Sequence, residues 1–242
     1  MKHVRDRKLR ILVTGVGGPA GINTARLLQS IRNVEVYGVD SSDLAAGKAF
    51  VDTFAIVAPV SKKSVYMREM RACITRWNID IVVPTVAEEL IVIHAVCKDM
   101  PVQLIASPHK TLALCHDKGM LYTYVDAHLP GALPRWQYLD QPLRFKAEQY
   151  FLKPTIGRGG RGCRVVYREE ISVLKKVLPK PHEWLLMEIL PGTEWTVDAY
   201  VTRDGDVPLL VPRERIALTG GISLKGKTIH NRVVDEKTRH VS

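Results

Sequence analysis

Tyr150-Phe151-Leu152-Lys153-Pro154-Thr155-Ile156-Gly157-Arg158-Gly159-Gly160-Arg161-Gly162-Cys163 is the stretch on which the reading of this 242-residue chain turns. The apolar run at 150–152 has the character of a short strand and delivers Lys153 at its end. Gly157, Gly159, Gly160 and Gly162 then make a pliant turn, and a second apolar run at 163–167 begins at once, so the pattern predicts a hairpin. Glycines permit positive φ and let backbone N–H groups approach a ligand closely, while Lys153, Arg158, Arg161 and Arg164 surround that backbone with positive charge. A polyphosphate suits such a loop. The plain alternative is a glycine-rich hairpin with solvated arginines. It is not a Walker A sequence, because the lysine precedes the glycines and no Gly-Lys-Ser/Thr opens a following helix.

Hydrophobic residues at 46% and charged residues at 25% describe an ordinary globular protein with a sizeable core. The net charge of +10 is concentrated: nine Lys or Arg face three Glu between Arg144 and Lys176. No RRM, KH or zinc-finger signature accompanies it, so a basic cleft for an anionic small molecule is expected rather than a nucleic-acid surface. The Arg/Lys-rich first ten residues are expected to be a solvated tail. Cys73, Cys97, Cys115 and Cys163 lack paired spacing, which predicts buried free thiols in a reducing compartment. The eight histidines form no zinc-binding pattern, and neither a signal peptide nor a long apolar span is present. A cytoplasmic protein without a membrane partner is expected.

Upstream, the buried-strand pattern at 9–14 runs into Gly15-Val16-Gly17-Gly18-Pro19-Ala20-Gly21, and Ile22, Ala25, Leu28 and Ile31 keep helical spacing. A second strand at 34–39 ends in Asp40, completing a β-α-β unit with a glycine turn and an acid after the second strand. The alternation continues with strands at 53–57, 79–83 and 102–106 and helices at 64–77, 87–98 and from Ser107-Pro108 onward, which predicts a parallel sheet covered on both faces. Taken alone, the turn between Gly15 and Gly21 with Asp40 permits an NAD(P)-dependent oxidoreductase or epimerase. That reading leaves the second half unexplained, and no Tyr-x-x-x-Lys pair supports it. Glu88 and Glu89 follow a strand end, where they could meet substrate or serve as first-turn acids favouring the helix dipole.

His116-Asp117-Lys118 opens a helix to about 128, with Lys118 placed slightly against the dipole, as though facing an anion. After the hairpin come a helix at 169–178 and a strand at 184–187, then Met187-Glu188-Ile189-Leu190-Pro191-Gly192-Thr193-Glu194. Period-2 alternation follows, with Trp195, Val197, Ala199 and Val201 on one face. Asp204-Gly205 turns the chain into a strand at 207–211. Arg213, Arg215 and the Gly220-Gly221 pair are candidate phosphate or substrate contacts.

The order of these parts resembles the ATP-grasp superfamily, most closely its carbamoyl-phosphate-synthase-large-chain-like and pyrrolysine-biosynthesis-ligase-like branches. The GxGGPAG turn, the Asp-Lys helix, the K-P-x-x-G-x-G-G-x-G hairpin and M-E-x-L-P-G-x-E-x-T-V-D carry the resemblance across nearly the whole chain. It implies an α/β fold: a Rossmann-like preATP-grasp domain at 1–110, a linking helical segment at 111–148 and a partial α+β nucleotide-clasping lobe at 149–242. By the same resemblance Lys118 and Lys153 would contact ATP phosphates, and Gly159 and Gly160 would close over them, with Arg158 beside them. Glu188, with the backbone of Ile189 and Leu190, would read adenine, and Glu194 would bind ribose hydroxyls.

The implied chemistry is ADP-forming ligation, in which a small-molecule carboxylate becomes an acyl-phosphate that an amine intercepts; a homodimer is common among such proteins. Mg²⁺ is implied as well, but the acids that would hold it are mostly expected beyond Ser242, so the chain is expected to be truncated at its C-terminus. A nucleotide-binding module without catalysis is the remaining alternative.

Overall fold

A computed structural model describes residues 7–157, 160–202, 204–219 and 222–241. Four of the candidates named above, Arg158, Gly159, Gly220 and Gly221, lie outside the described residues. The chain divides into two compact units, Met1–Ala113 and Leu114–Ser242.

The first unit is built on five parallel strands: β1 (Leu9–Thr14), β2 (Val34–Asp40), β3 (Thr53–Ile56), β4 (Ile81–Val83) and β5 (Gln103–Leu104), ordered β3-β2-β1-β4-β5. Helices α1 (Pro19–Gln29), α2 (Lys63–Trp77) and α3 (Leu90–Cys97) alternate with them. Central strands covered on both faces read as continuous apolar runs, as β1 does. Leu12 packs with Met70 and Ile74 of α2 and with Ile93 and Val96 of α3. Its neighbour Val13 joins Val16, Ala25 of α1 and Val36 in a separate cluster. The sheet reverses its order at β1, and its carboxyl edge carries the 15–18 and 84–86 turns.

Several expected boundaries move for local reasons. The strand expected at 79–83 begins at Ile81, because Asn78 closes α2 in a left-handed conformation (φ 48°) and Ile79 N–H bonds back to Ile74 O. The helix expected at 87–98 starts as a 3₁₀ turn over Ala87–Glu89. The Ser107-Pro108 helix is α4 (His109–His116), within which the chain passes from one unit to the next. The solvated tail is corrected at Arg7, which pairs with Asp80 and holds that carboxyl below its ordinary range, and at Arg10, bonded to Trp77 O. The uniform burial expected of the cysteines holds at Cys97, whose thiol burial pushes up to about 11; Cys115 is exposed, and Cys73 and Cys163 lie between.

After the end of α4, the second unit continues with α5 (Lys118–His128). Its four-stranded antiparallel sheet contains β6 (Trp136–Tyr138), β7 (Gln149–Pro154), β8 (Arg164–Tyr167) and β9 (Trp184–Met187), in the order β6-β9-β7-β8. One face buries Tyr150, Leu152, Val166 and Leu186 against Ile171 and Leu174 of α6 (Ile171–Val177). Gln137 is buried there too and is satisfied by Pro142 O, Gln141 O and Arg144 N–H, which ties down the connection to β7.

A three-stranded antiparallel sheet follows, β10 (Trp195–Tyr200), β11 (Leu209–Thr219) and β12 (Ile222–Thr228), before α7 (Arg232–Val241). Here one expected boundary is corrected. The strand expected at 207–211 extends to Thr219 because it pairs on both sides. The alternation along β10 is not mirrored in its burial: Trp195, Thr196 and Val197 are half-buried, whereas Asp198, Ala199 and Tyr200 are exposed. Described residues of this sheet join none of the three core clusters, so alternation along β10 has no core to meet. No helix among the described residues is long and apolar enough to cross a membrane.

Candidate functional site

The expected hairpin is present. β7 and β8 pair from Gln149↔Tyr167 to Leu152↔Arg164, and β9 pairs with the other side of β7, placing Lys153 opposite Leu185. Strand alternation sends Tyr150 and Leu152 into the core and Lys153 to the opposite face. In the connecting turn Gly160 and Gly162 take positive φ, 69° and 77°, and Cys163 N–H closes on Gly160 O at 3.0 Å.

α5 brings a second cation to the strand end. Asp117 caps the helix by accepting from Gly119 and Met120 N–H at 2.8 and 3.1 Å, an arrangement worth about 1 kcal/mol. Lys118 N–H then bonds Thr155 O at 2.9 Å, while its ammonium donates to Thr155 O and Gly157 O at 3.3 and 3.0 Å. Thus Lys118 faces the carbonyls that leave β7. One helical turn later, Tyr122 accepts a 2.5 Å hydrogen bond from the Lys153 ammonium, which also lies 4.7 Å from the Tyr122 ring centroid.

Burial lowers the pKa of both lysines, and Lys153 adds repulsion at Lys118. Neither ammonium has an ion-pair partner among the described residues. Two partly desolvated cations bonded to neutral oxygens favour any anion that reaches them. Arg161 and Arg164 stand exposed on the same hairpin.

The expected adenine and ribose acids are already engaged. Glu188 follows β9 and is held by Arg135, with Nη2–Oε1 at 2.7 Å and Nε–Oε2 at 3.1 Å, so its carboxyl lies below the ordinary range. In the antiparallel register it lies three residues past the partner of Lys153, about 10 Å along the strand. Ile189 and Leu190 are exposed just beyond it. Glu194 accepts from Arg215 at 2.5 Å, and Arg213 pairs with Asp198 at 2.8 Å. The structure therefore gathers Lys118, Lys153 and Gly160 at one strand end, places Glu188 at the other end of β9, and joins Glu194 to Arg215 on the second sheet.

Tyr122 and Arg135 were not singled out in the sequence. For Tyr122 a signal existed: it sits four residues after Lys118, on the same face of a helix. Arg135 carried none, lying 53 positions from Glu188.

In the first unit, the glycine turn is occupied by the protein itself. Gly17 N–H donates to Asp40 Oδ2 at 2.7 Å, and Gly47 N–H to Val16 O at 3.0 Å, so the segment after β2 lies on the turn. A Cβ on Gly21 or Gly47 would strike backbone of residues 15–16. These glycines serve close packing. Glu89, left open between two roles above, is buried at 4% exposure and accepts from Thr14 and Tyr66 hydroxyls.

Among the described residues no three His, Cys, Asp or Glu side chains come together to hold a metal.

No protein-family model and no curated protein matches the chain. Solved structures do. An L-amino acid ligase from Bacillus licheniformis superposes with a TM-score of 0.70 at 15% identity, covering 98% of this chain and 60% of that one. N5-carboxyaminoimidazole synthetase from Staphylococcus aureus, complexed with ADP, gives 0.70 at 12% identity, with 98% and 64% covered. Biotin carboxylase from Campylobacter jejuni, as a β-γ-ATP complex, gives 0.67 at 16%, with 96% and 56% covered. At such identities the likeness is one of fold. The chain shares the α/β fold of these proteins over the part it spans, about three fifths of their length.

Proposed function

We propose that the chain is the nucleotide-holding part of an ATP-grasp, ADP-forming ligase, of a kind that joins a carboxylate to an amine. The observation that carries the proposal is the pair of partly desolvated ammonium groups, Lys118 and Lys153, at the base of a glycine-rich hairpin. The fold supports it, since one neighbour of the same fold is an L-amino acid ligase and two others, a synthetase and a carboxylase, were crystallised with ADP or an ATP species.

In this reading Lys118 and Lys153 meet the phosphates, and backbone N–H groups of the glycine turn lie over them. Ile189 and Leu190 supply backbone groups to the adenine edge, Glu188 keeps that segment in place through Arg135, and Glu194 reaches the ribose. Arg213 and Arg215 stand toward the anionic substrate. A substrate carboxylate oxygen attacks the γ-phosphorus, and the bond to the β–γ bridging oxygen breaks to release ADP. The amine then attacks the acyl carbon, and phosphate leaves with the bonding pair. The cations spread the charge that develops on the transferred group. Mg²⁺ would enter with the nucleotide's phosphates and help to balance their charge.

Dinucleotide binding at the first glycine turn is disfavoured, because Asp40 and the segment around Gly47 already occupy it. Calorimetric titration of the chain with ATP, ADP and NAD⁺ tests the proposal. Heat with both adenine nucleotides and none with NAD⁺ is expected; NAD⁺ binding alone would overturn it.

A further inference from the structure

We infer that Tyr122 is a positioning residue that aims the Lys153 ammonium at the incoming phosphate while leaving its charge unneutralised; the inference rests on the nucleotide reading above. The Lys153 ammonium donates to the Tyr122 hydroxyl at 2.5 Å and lies over the same ring at 4.7 Å, so one side chain contacts it in two ways. A lysine left free at a strand end samples many rotamers, and ordering it on binding weakens affinity. An acidic partner would order it but would compete with the phosphate for its charge. A phenol that burial keeps protonated orders it without that competition.

Tyr122 is itself braced. Its ring meets Trp136 edge-on at 5.4 Å, and Trp136 Nε1–H donates to Asp126 Oδ2 at 2.7 Å. Lys118, Tyr122 and Asp126 recur every four residues, so one stripe of α5 carries a phosphate-site cation, the residue that orients the other cation and the anchor for its brace. Trp136 also meets Tyr138 edge-on at 5.6 Å, and Gly119 lets α5 approach Tyr138, whose ring a Cβ there would overlap. Nothing in that packing needs the Tyr122 hydroxyl. Its described partner is Lys153.

The test compares Tyr122→Phe and Tyr122→Leu with the unaltered chain. In nucleotide-free protein, the Lys153 ε-methylene NMR signal should be shifted upfield by the ring, kept in Tyr122→Phe and lost in Tyr122→Leu. ATP affinity by calorimetry should fall about fivefold in Tyr122→Phe, which loses one hydrogen bond, and about twentyfold or more in Tyr122→Leu, which also loses the ring. Unchanged thermal melting of Tyr122→Phe would show that the loss is not one of folding. Equal ATP affinity in all three chains would overturn the positioning role and leave the nucleotide reading standing. No ATP binding by the unaltered chain, with the ring shift present, would overturn the nucleotide reading and this inference with it.

Discussion

Tyr66 donates its hydroxyl to the buried carboxyl of Glu89 at 2.7 Å, joining α2 to the turn that follows β4. Thr14 at the end of β1 donates to the other oxygen, and Val86 N–H approaches that same oxygen at 3.4 Å. Burial raises the Glu89 pKa, and the hydrogen bonds from Thr14, Tyr66 and the Val86 and Thr85 backbone pull it back only in part.

A pH dependence follows. A carboxyl whose folded pKa lies above its unfolded value binds its proton more tightly when folded. Its contribution to stability is fully present below the ordinary glutamate pKa and is lost as pH rises through the raised folded value. Glu89→Gln has no such titration. Denaturation midpoints measured across that interval should show the unaltered chain losing stability relative to Glu89→Gln as pH rises. A constant difference would mean that Glu89 titrates alike in both states.

Lys153→Met and Lys118→Met should each weaken ATP binding tenfold or more, since a hydrogen bond to a charged group is worth about 1.5–3 kcal/mol. The Lys153→Met chain should melt no lower than the original, because a partly buried ammonium is replaced by an apolar side chain of similar length. Calorimetry and thermal melts check the two together. Loss of affinity with an equal loss of folding would assign the lysine to structure.

Glu194→Ala should weaken ATP binding several-fold and leave inorganic tripolyphosphate unaffected, because the carboxylate is assigned to ribose. Its pairing with Arg215 at 2.5 Å makes Arg215→Ala the matching control. Equal losses for ATP and tripolyphosphate in Glu194→Ala would remove it from the ribose and leave it as the holder of Arg215.

Gly162→Ala should destabilise the second unit by about 1–2 kcal/mol. Gly162 has φ +77°, and a Cβ there would stand 3.3 Å from the Trp184 ring. Gly131→Ala is the comparison: its φ is similarly positive at +81°, yet a Cβ there meets nothing within 4 Å. Urea denaturation should place Gly162→Ala below Gly131→Ala by the packing contribution. Equal midpoints would mean that the Trp184 ring yields without loss.

What was legible in the sequence was local. The β1 run, Pro19 at the first turn of α1, the strand pair around the 157–162 turn and Asp117-Lys118 at a helix start each depend on residues a few positions apart. Neighbouring torsions and one-dimensional periodicity carry that information, so β1 and the strand ending in Asp40 fall where the pattern puts them. Side-chain partnership was decided by the tertiary structure. Lys153 finds Tyr122 across 31 positions, Glu188 finds Arg135 across 53, and Glu89 finds Tyr66 across 23. Each meeting depends on how strands are ordered and which helix covers them. The same holds for β10: its alternation was plain in the sequence, but whether a face is buried depends on what packs against it, and none of the core clusters reaches it. Sequence spacing set which residues could bear charge at the hairpin, and packing decided that Lys153 there and Lys118 on α5 would be partly desolvated with no acid partner among the described residues.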